Sequence, residues 1–381
     1  MKRYLICLLV GLLTGCTSGS VEEMPETAQL VAISFGKPDL GIPVVLTRSD
    51  EAVMPEPTPL PEGATIRVCG YLLGNVGEQT TPAAFSTTAA TFESTYEVLA
   101  DGSLSPCLVD DAGKKIAGEA EKTVVRSGIY DFYAVSPARS LQKGDGGSYQ
   151  ITDIPHKEDV MTSSARSVTV SESSRQVRLG TFRRKCALVV FNVAPSKENV
   201  LPFSRLYATR LKISKISSSG AVLIAGEDTG IPATGGVAGE TGEVVFETGE
   251  FEPVEEGADP DHSGLNKTKG VLLPKTAEPF EVEIDVQRDE KTATLKATVE
   301  KSISFDEGQR YVFTLEVKNN ESRLQMRVLA WNTIPFTDAH VGAPDQPYPD
   351  PDINQGVGTE LTVARWKEII WSGNGEAGGG A

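Results

Sequence analysis

Three histidines, five cysteines and two acidic turns are the residues whose types could do chemistry here. His156, His262 and His340 lie far apart in sequence, each in a turn-rich context, so no local spacing makes them a metal or acid–base set. No Gly-x-Ser-x-Gly elbow, phosphate loop, His-Glu-x-x-His or dinucleotide fingerprint occurs. Cys186 follows Arg183, Arg184 and Lys185, cations that could lower a thiol pKa. Its other neighbours, Ala187-Leu188-Val189-Val190, read instead as a core strand, and Cys69 within Ile66–Tyr71 reads the same way. Cys69, Cys107 and Cys186 match no zinc spacing, and one disulfide among them is open in an oxidising compartment. Asp259-Pro260-Asp261 and Asp350-Pro351-Asp352 offer oxygens without the ligand spacing of a calcium loop, and read as solvated turns. The expectation is a protein that is not an enzyme, with no catalytic residue, metal or cofactor.

The remaining cysteines stand at the N-terminus. Lys2 and Arg3 precede an apolar run, Tyr4 to Leu13. That run is ~10 residues, short of the roughly 20 a spanning helix needs. Charge followed by a short apolar core describes an export signal. It ends in Leu13-Thr14-Gly15-Cys16, which resembles the lipobox of bacterial lipoproteins. The resemblance implies cleavage of 1–15 and a covalent lipid on Cys16. A thiol-linked diacylglycerol plus an N-acyl chain suffices for stable anchoring. Residues 16–27 then read as a polar tether, and Glu22-Glu23 loosely resembles the acidic cue of lipoproteins sent to the outer face of the outer membrane.

Loss of residues 1–15 removes two cations and no acid, moving the formal charge from -16 to -18. A body this acidic repels phosphate backbones, which argues against a nucleic-acid partner. The hydrophobic fraction of 39% is enough for packed cores, and the length suits about two domains.

The chain as a whole reads as all-β. Short Val/Ile/Tyr/Phe/Thr runs alternate with Gly, Pro, Asp and Ser turns. The first run, Ala28 to Phe35, puts Val31, Ile33 and Phe35 on one face. Val44 to Arg48, Ala64 to Leu73, Thr95 to Leu99, Lys122 to Val125 and Gly128 to Val135 follow, while Lys157 to Ser164 reads as irregular or a single helical turn. A second block runs from Gln176 through Leu206–Ile216, Phe280–Val286 and Ala293–Val299 to the pair Tyr311–Val317 and Leu324–Trp331. In Tyr311, Phe313, Leu315 and Val317 the alternation of a half-buried strand is clean. Repeated short strands predict two successive β-sandwiches, 28–172 and 173–342, followed by a Pro/Asp-rich linker and tail, 343–381. In the tail, Val363, Trp366 and Ile370 share a helical face, whereas Leu361, Val363, Ile369 and Trp371 share a strand face. Periodicity slightly favours the helix.

Taken together, these residues resemble the fimbrillin family of Bacteroidetes, subunits of type V pili. Gly128-Ile129-Tyr130-Asp131-Phe132-Tyr133-Ala134-Val135-Ser136-Pro137-Ala138 is similar to the family's aromatic strand and Ser-Pro turn. Asp159-Val160-Met161 resembles its segment before the second domain, and Gly308-Gln309-Arg310-Tyr311 with Trp331 its closing strand pair. The resemblance implies two transthyretin-like Greek-key sandwiches and a lipidated precursor that is surface-exposed on the outer membrane. It further implies assembly by donor-strand exchange into a homo- or heteropolymer of the fimbrium, supporting adhesion to a host or bacterial receptor. Cleavage after Arg48, before Ser49, would remove the strand with Val31, Ile33 and Phe35. The implied donor lies near Leu361, Val363, Trp366, Ile369 and Trp371. Physically this is β-augmentation, with main-chain hydrogen bonds for affinity and alternate side chains for register.

A different class stays open at this point. Glycan-binding surface lipoproteins are also lipidated β-sandwich chains, but they present planar aromatics from loops. Here the tryptophans number three and two lie in the tail.

Overall fold

The computed structural model describes residues 29–40, 60–195, 206–226, 228–234, 242–251, 266–288, 291–317, 322–330 and 361–366. Cys16, Arg48, Ser49, His262, His340, Ile369 and Trp371 lie outside the described residues. Among those described, one 3-10 turn at Thr248–Glu250 is the only helical element, and the protein is all-β.

The chain opens with β1 (Leu30–Ala32) and β2 (Ser34–Phe35), then β3 (Thr65–Gly74), β4 (Phe92–Val98) and β5 (Leu104–Pro106). Short strands β6 (Leu108–Val109), β7 (Lys115–Ile116) and β8 (Val124–Arg126) lead into β9 (Gly128–Ser136). The first half ends with β10 (Gln142–Lys143), β11 (Tyr149–Ile154), β12 (Met161–Val170), β13 (Gln176–Val177) and β14 (Arg183–Arg184). Its main sheet has six antiparallel strands in the order β14-β12-β9-β3-β4-β5. The central β9 is buried on both faces, which suits its run of apolar and aromatic residues from Ile129 to Val135, broken only by Asp131. Gly70 on β3 is needed because the Phe92 ring lies across it, 2.1 Å from where a Cβ would stand.

The second half runs β15 (Ala187–Pro195), β16 (Leu206–Ile216), β17 (Ala221–Ile224), β18 (Gly242–Glu247), β19 (Asn266–Leu272) and β20 (Lys275–Arg288). It continues with β21 (Lys291–Phe305), β22 (Gln309–Val317), β23 (Ser322–Ala330) and β24 (Leu361–Trp366). A five-stranded sheet, β19-β15-β22-β23-β24, faces a four-stranded one, β18-β16-β20-β21, and alternate residues of both fill a common core. Phe191 and Phe313 stack there with centroids 4.7 Å apart.

The two halves are sewn together. β17 lies between β16 and β18 in sequence yet pairs with β11 of the first half. Tyr71, Phe85, Tyr133, Ile154, Leu223 and Leu273 share a further core with Cys186. His156 lies at this seam, nearly covered. Its Nδ1 accepts the Leu273 N–H at 3.2 Å and its Nε2 donates to the Ser217 carbonyl at 2.7 Å. On the adjoining face of β9, buried Asp131 accepts the N–H groups of Ala83 and Ser167, both at 2.8 Å, and Arg166 Nη1 at 2.7 Å. The Arg166 guanidinium in turn covers the Phe85 ring, 3.7 Å from its centre.

Two expectations change, and the open question of a disulfide closes. Residues 161–164, read as irregular or helical, belong to β12, because Met161 and Thr162 take β9 and β14 as neighbours on its two sides. The tail is strand, not helix, over Leu361–Trp366, since the edge of β23 supplies a ladder for it. The cysteines Cys69, Cys107 and Cys186 are free and buried, so none is disulfide-bonded.

Candidate assembly groove

The cysteines singled out by the sequence sit as core residues. Burial raises the Cys186 thiol pKa, the reverse of what Arg183–Lys185 beside it suggested, and Cys69 is pushed up in the same way. Arg184 and Lys185 are themselves buried, facing Asp159 at 2.9 Å and Glu307 at 3.6 Å. Among the described residues no three His, Cys, Asp or Glu side chains gather as metal ligands.

What the fold does build is a slot occupied by the first strand. Val31, Ile33 and Phe35 are covered, with 2%, 6% and 5% of their surface exposed, and the residues between them face out. The alternation read from the sequence is therefore the alternation of burial. Phe35 meets Tyr96 and Phe132 edge to face at 5.1 and 5.7 Å. Val31 stands opposite Val125 of β8, and Phe35 opposite Val177 of β13. Burying three such side chains contributes roughly 5–9 kcal/mol by transfer.

The backbone is held from both sides. Toward β8, β1 pairs antiparallel, with the Ser127 N–H on Gln29 O at 2.8 Å and the Ile33 N–H on Thr123 O at 3.0 Å. Toward β13, β2 pairs parallel, with the Ser34 N–H on Arg175 O at 3.0 Å and the Gly36 N–H on Val177 O at 2.8 Å. Residues 30–36 thus border β8 along their first half and β13, on the other edge, along their second. At the groove floor a polar chain runs from Tyr96 Oη through Thr123 Oγ1 to Ser94 Oγ, so the polar atoms there are satisfied. The Phe182 N–H donates to Asp39 O at 2.7 Å, and both Leu40 and Leu60 return to the core on either side of 41–59.

Of the residues singled out in the sequence, the structure brings Val31, Ile33 and Phe35 together and places Leu361, Val363 and Trp366 on β24. That strand pairs antiparallel with β23, from Ser322 opposite Trp366 to Met326 opposite Leu361. The groove's walls fall in runs that the sequence already marks as strands, Lys122–Val125 and the stretch from Gln176, but their pairing with the first strand was missed. β8 and β13 are only three and two residues long, too short to carry a partner's register in their own pattern. The signal present was the set of aromatics Tyr96, Tyr130 and Phe132.

A family model described as fimbrillin-like matches residues 30–338. The chain belongs to the fimbrillin-like family. Among solved structures, a candidate cell adhesion protein from Bacteroides fragilis is 18% identical with a TM-score of 0.51, covering 80% of this chain and 98% of that one. A second candidate cell adhesion protein, from Bacteroides uniformis, is 17% identical with a TM-score of 0.46, covering 79% and 99%. The tip fimbrial protein Mfa3 of Porphyromonas gingivalis, with a C-terminal truncation, is 9% identical with a TM-score of 0.36, covering 71% and 95%. No curated protein matches the chain. A fimbrillin-like chain is a pilus or adhesin subunit that works at the cell surface or in the fimbrium beside other subunits.

Proposed function

We propose that this fimbrillin-like protein is a pilus subunit made as a lipid-anchored precursor on the outer membrane and assembled by donor-strand exchange. Cys16 carries the lipid. Cleavage after Arg48 releases residues 16–48, and with them Val31, Ile33 and Phe35, leaving Ser49 as the new N-terminus. The observation that carries this reading is the strand at 30–36, held on both edges and buried through alternate side chains, yet joined to the body only through 41–59. Arg48 is the one basic residue between Lys37 and Arg67, so a trypsin-like protease acting there makes a single cut. An incoming strand running in the plug's direction would remake both ladders, antiparallel to β8 and parallel to β13.

The candidate donor is the tail segment with Leu361, Val363, Trp366, Ile369 and Trp371. Its first part is already extended along β23 and would peel from that edge to reach another subunit. Mass spectrometry of protein sheared from the cell surface tests the mechanism. An N-terminus at Ser49 is expected, and Arg48→Ala leaves lipidated Cys16 as the N-terminus. Finding only lipidated Cys16 in the wild-type fibre rules the mechanism out.

A further inference from the structure

The plug specifies what can replace it, and the chain's own tail does not meet the specification. Three places are set by residues at i, i+2 and i+4. The first holds Val31 against Val125, the second holds Ile33, and the third holds Phe35 between the Tyr96 and Phe132 rings. Around them the cluster is apolar, with Val125 and Val177 on the flanking strands and Tyr130 and Phe132 beneath. The intervening Ala32 and Ser34 face out and place no demand on a replacement. A replacement strand therefore needs three apolar side chains at alternate positions, the last an aromatic of phenylalanine size.

Within 343–381 no three consecutive alternate positions, i, i+2 and i+4, all carry large apolar side chains. Three frames end on an aromatic, and Pro344–Gln346–Tyr348 supplies no large apolar side chain before it. Lys367–Ile369–Trp371 would bring an ammonium to the covered place of Val31, where no carboxylate belongs to the cluster. Thr362–Ala364–Trp366 would bring a hydroxyl to the place of Val31, leave only a methyl in that of Ile33 and force an indole between Tyr96 and Phe132.

We infer that the groove of this subunit is filled by a different chain. The occupant is an extended segment with β-branched, β-branched and aromatic residues at alternate positions, so the subunit accepts from a neighbour unlike itself. The inference rests on the donor-strand reading, and the two fail in different ways. The mature chain with Cys16→Ser, nicked after Arg48, carries a fluorophore on its retained plug. Three synthetic peptides compete for the groove: residues 29–38, residues 359–373, and residues 359–373 with Lys367→Val. The plug peptide displaces the label, the tail peptide is at least about 100-fold weaker, and Lys367→Val recovers most of that loss, the size expected for one buried charge. A tail peptide as effective as the plug peptide overturns the inference and leaves donor-strand exchange standing. SDS-resistant ladders formed by the nicked chain alone overturn it as well. If even the plug peptide fails to exchange in a folded, nicked chain, donor-strand exchange itself falls.

Discussion

Replacing Phe35 by alanine removes the largest side chain of the plug and both of its edge-to-face contacts, with Tyr96 and Phe132. A buried Phe→Ala change costs about 3–5 kcal/mol, because lost transfer energy and a residual cavity add. In the uncleaved chain the loss appears as a lowered urea midpoint with an unchanged slope. In the chain nicked after Arg48 the same energy acts on plug retention. At about 1.4 kcal/mol per decade it raises the dissociation rate by roughly 100- to 4,000-fold, since affinity changes fall mostly on the off-rate. Leu30, on the opposite face of the same strand, is 71% exposed, and Leu30→Ala is expected to change stability by no more than about 0.5 kcal/mol. The pair of variants separates core filling from strand propensity. A cost below about 1 kcal/mol for Phe35→Ala, or equal costs for the two, refutes the plug as a side-chain-anchored strand.

Two further outcomes follow from polar contacts away from the groove. Asp131→Asn removes the charge that Arg166 faces and weakens two backbone N–H bonds, so urea unfolding should show a loss of about 2–4 kcal/mol. Burial lowers the His156 pKa below the usual 6.5, and its neutral ring bonds Leu273 and Ser217 across the seam. Its contribution is therefore complete above pH 6.5 and is lost as pH falls below that toward the folded-state value. Lys157 and Glu250, close by, form their own pair, and the Glu250 carboxyl is held below its usual range, so it stays charged across this window. Urea midpoints measured from pH 7.5 to 5.5 should fall for the wild type and stay flat for His156→Gln.

The groove was half legible in the sequence. Val31, Ile33 and Phe35 declare a strand by period two alone, a local property, and their burial follows the pattern. The strands that hold them appear in the sequence as short runs, Lys122–Val125 and the stretch from Gln176, but which strand each would pair with does not. The same cause explains β12, whose polar run Thr162-Ser163-Ser164 has no alternation and becomes strand through its pairing with β9. In the tail, the helical and strand periods are nearly tied, and the free edge of β23 decides between them. Arg184 and Lys185 look like surface charges until Asp159 and Glu307 are brought to them from elsewhere in the chain. What sequence could not supply, in each case, was the neighbour.

The magnitudes also bear on why a precursor would be cut rather than simply opened. Side-chain burial holds the plug by roughly 5–9 kcal/mol, with two ladders of main-chain bonds in addition. Association of a separate strand costs about 4–15 kcal/mol in lost translational and rotational freedom. While 41–59 is intact the plug does not incur that cost, and an incoming strand competes against an intramolecular one whose effective concentration is in the millimolar range or above. Cutting after Arg48 changes no contact within the groove, yet it brings the two opposing terms to similar size. The plug then stays seated in a folded subunit and becomes exchangeable. Cleavage in this reading sets when exchange can happen, and the three apolar places at Val31, Ile33 and Phe35 set with what.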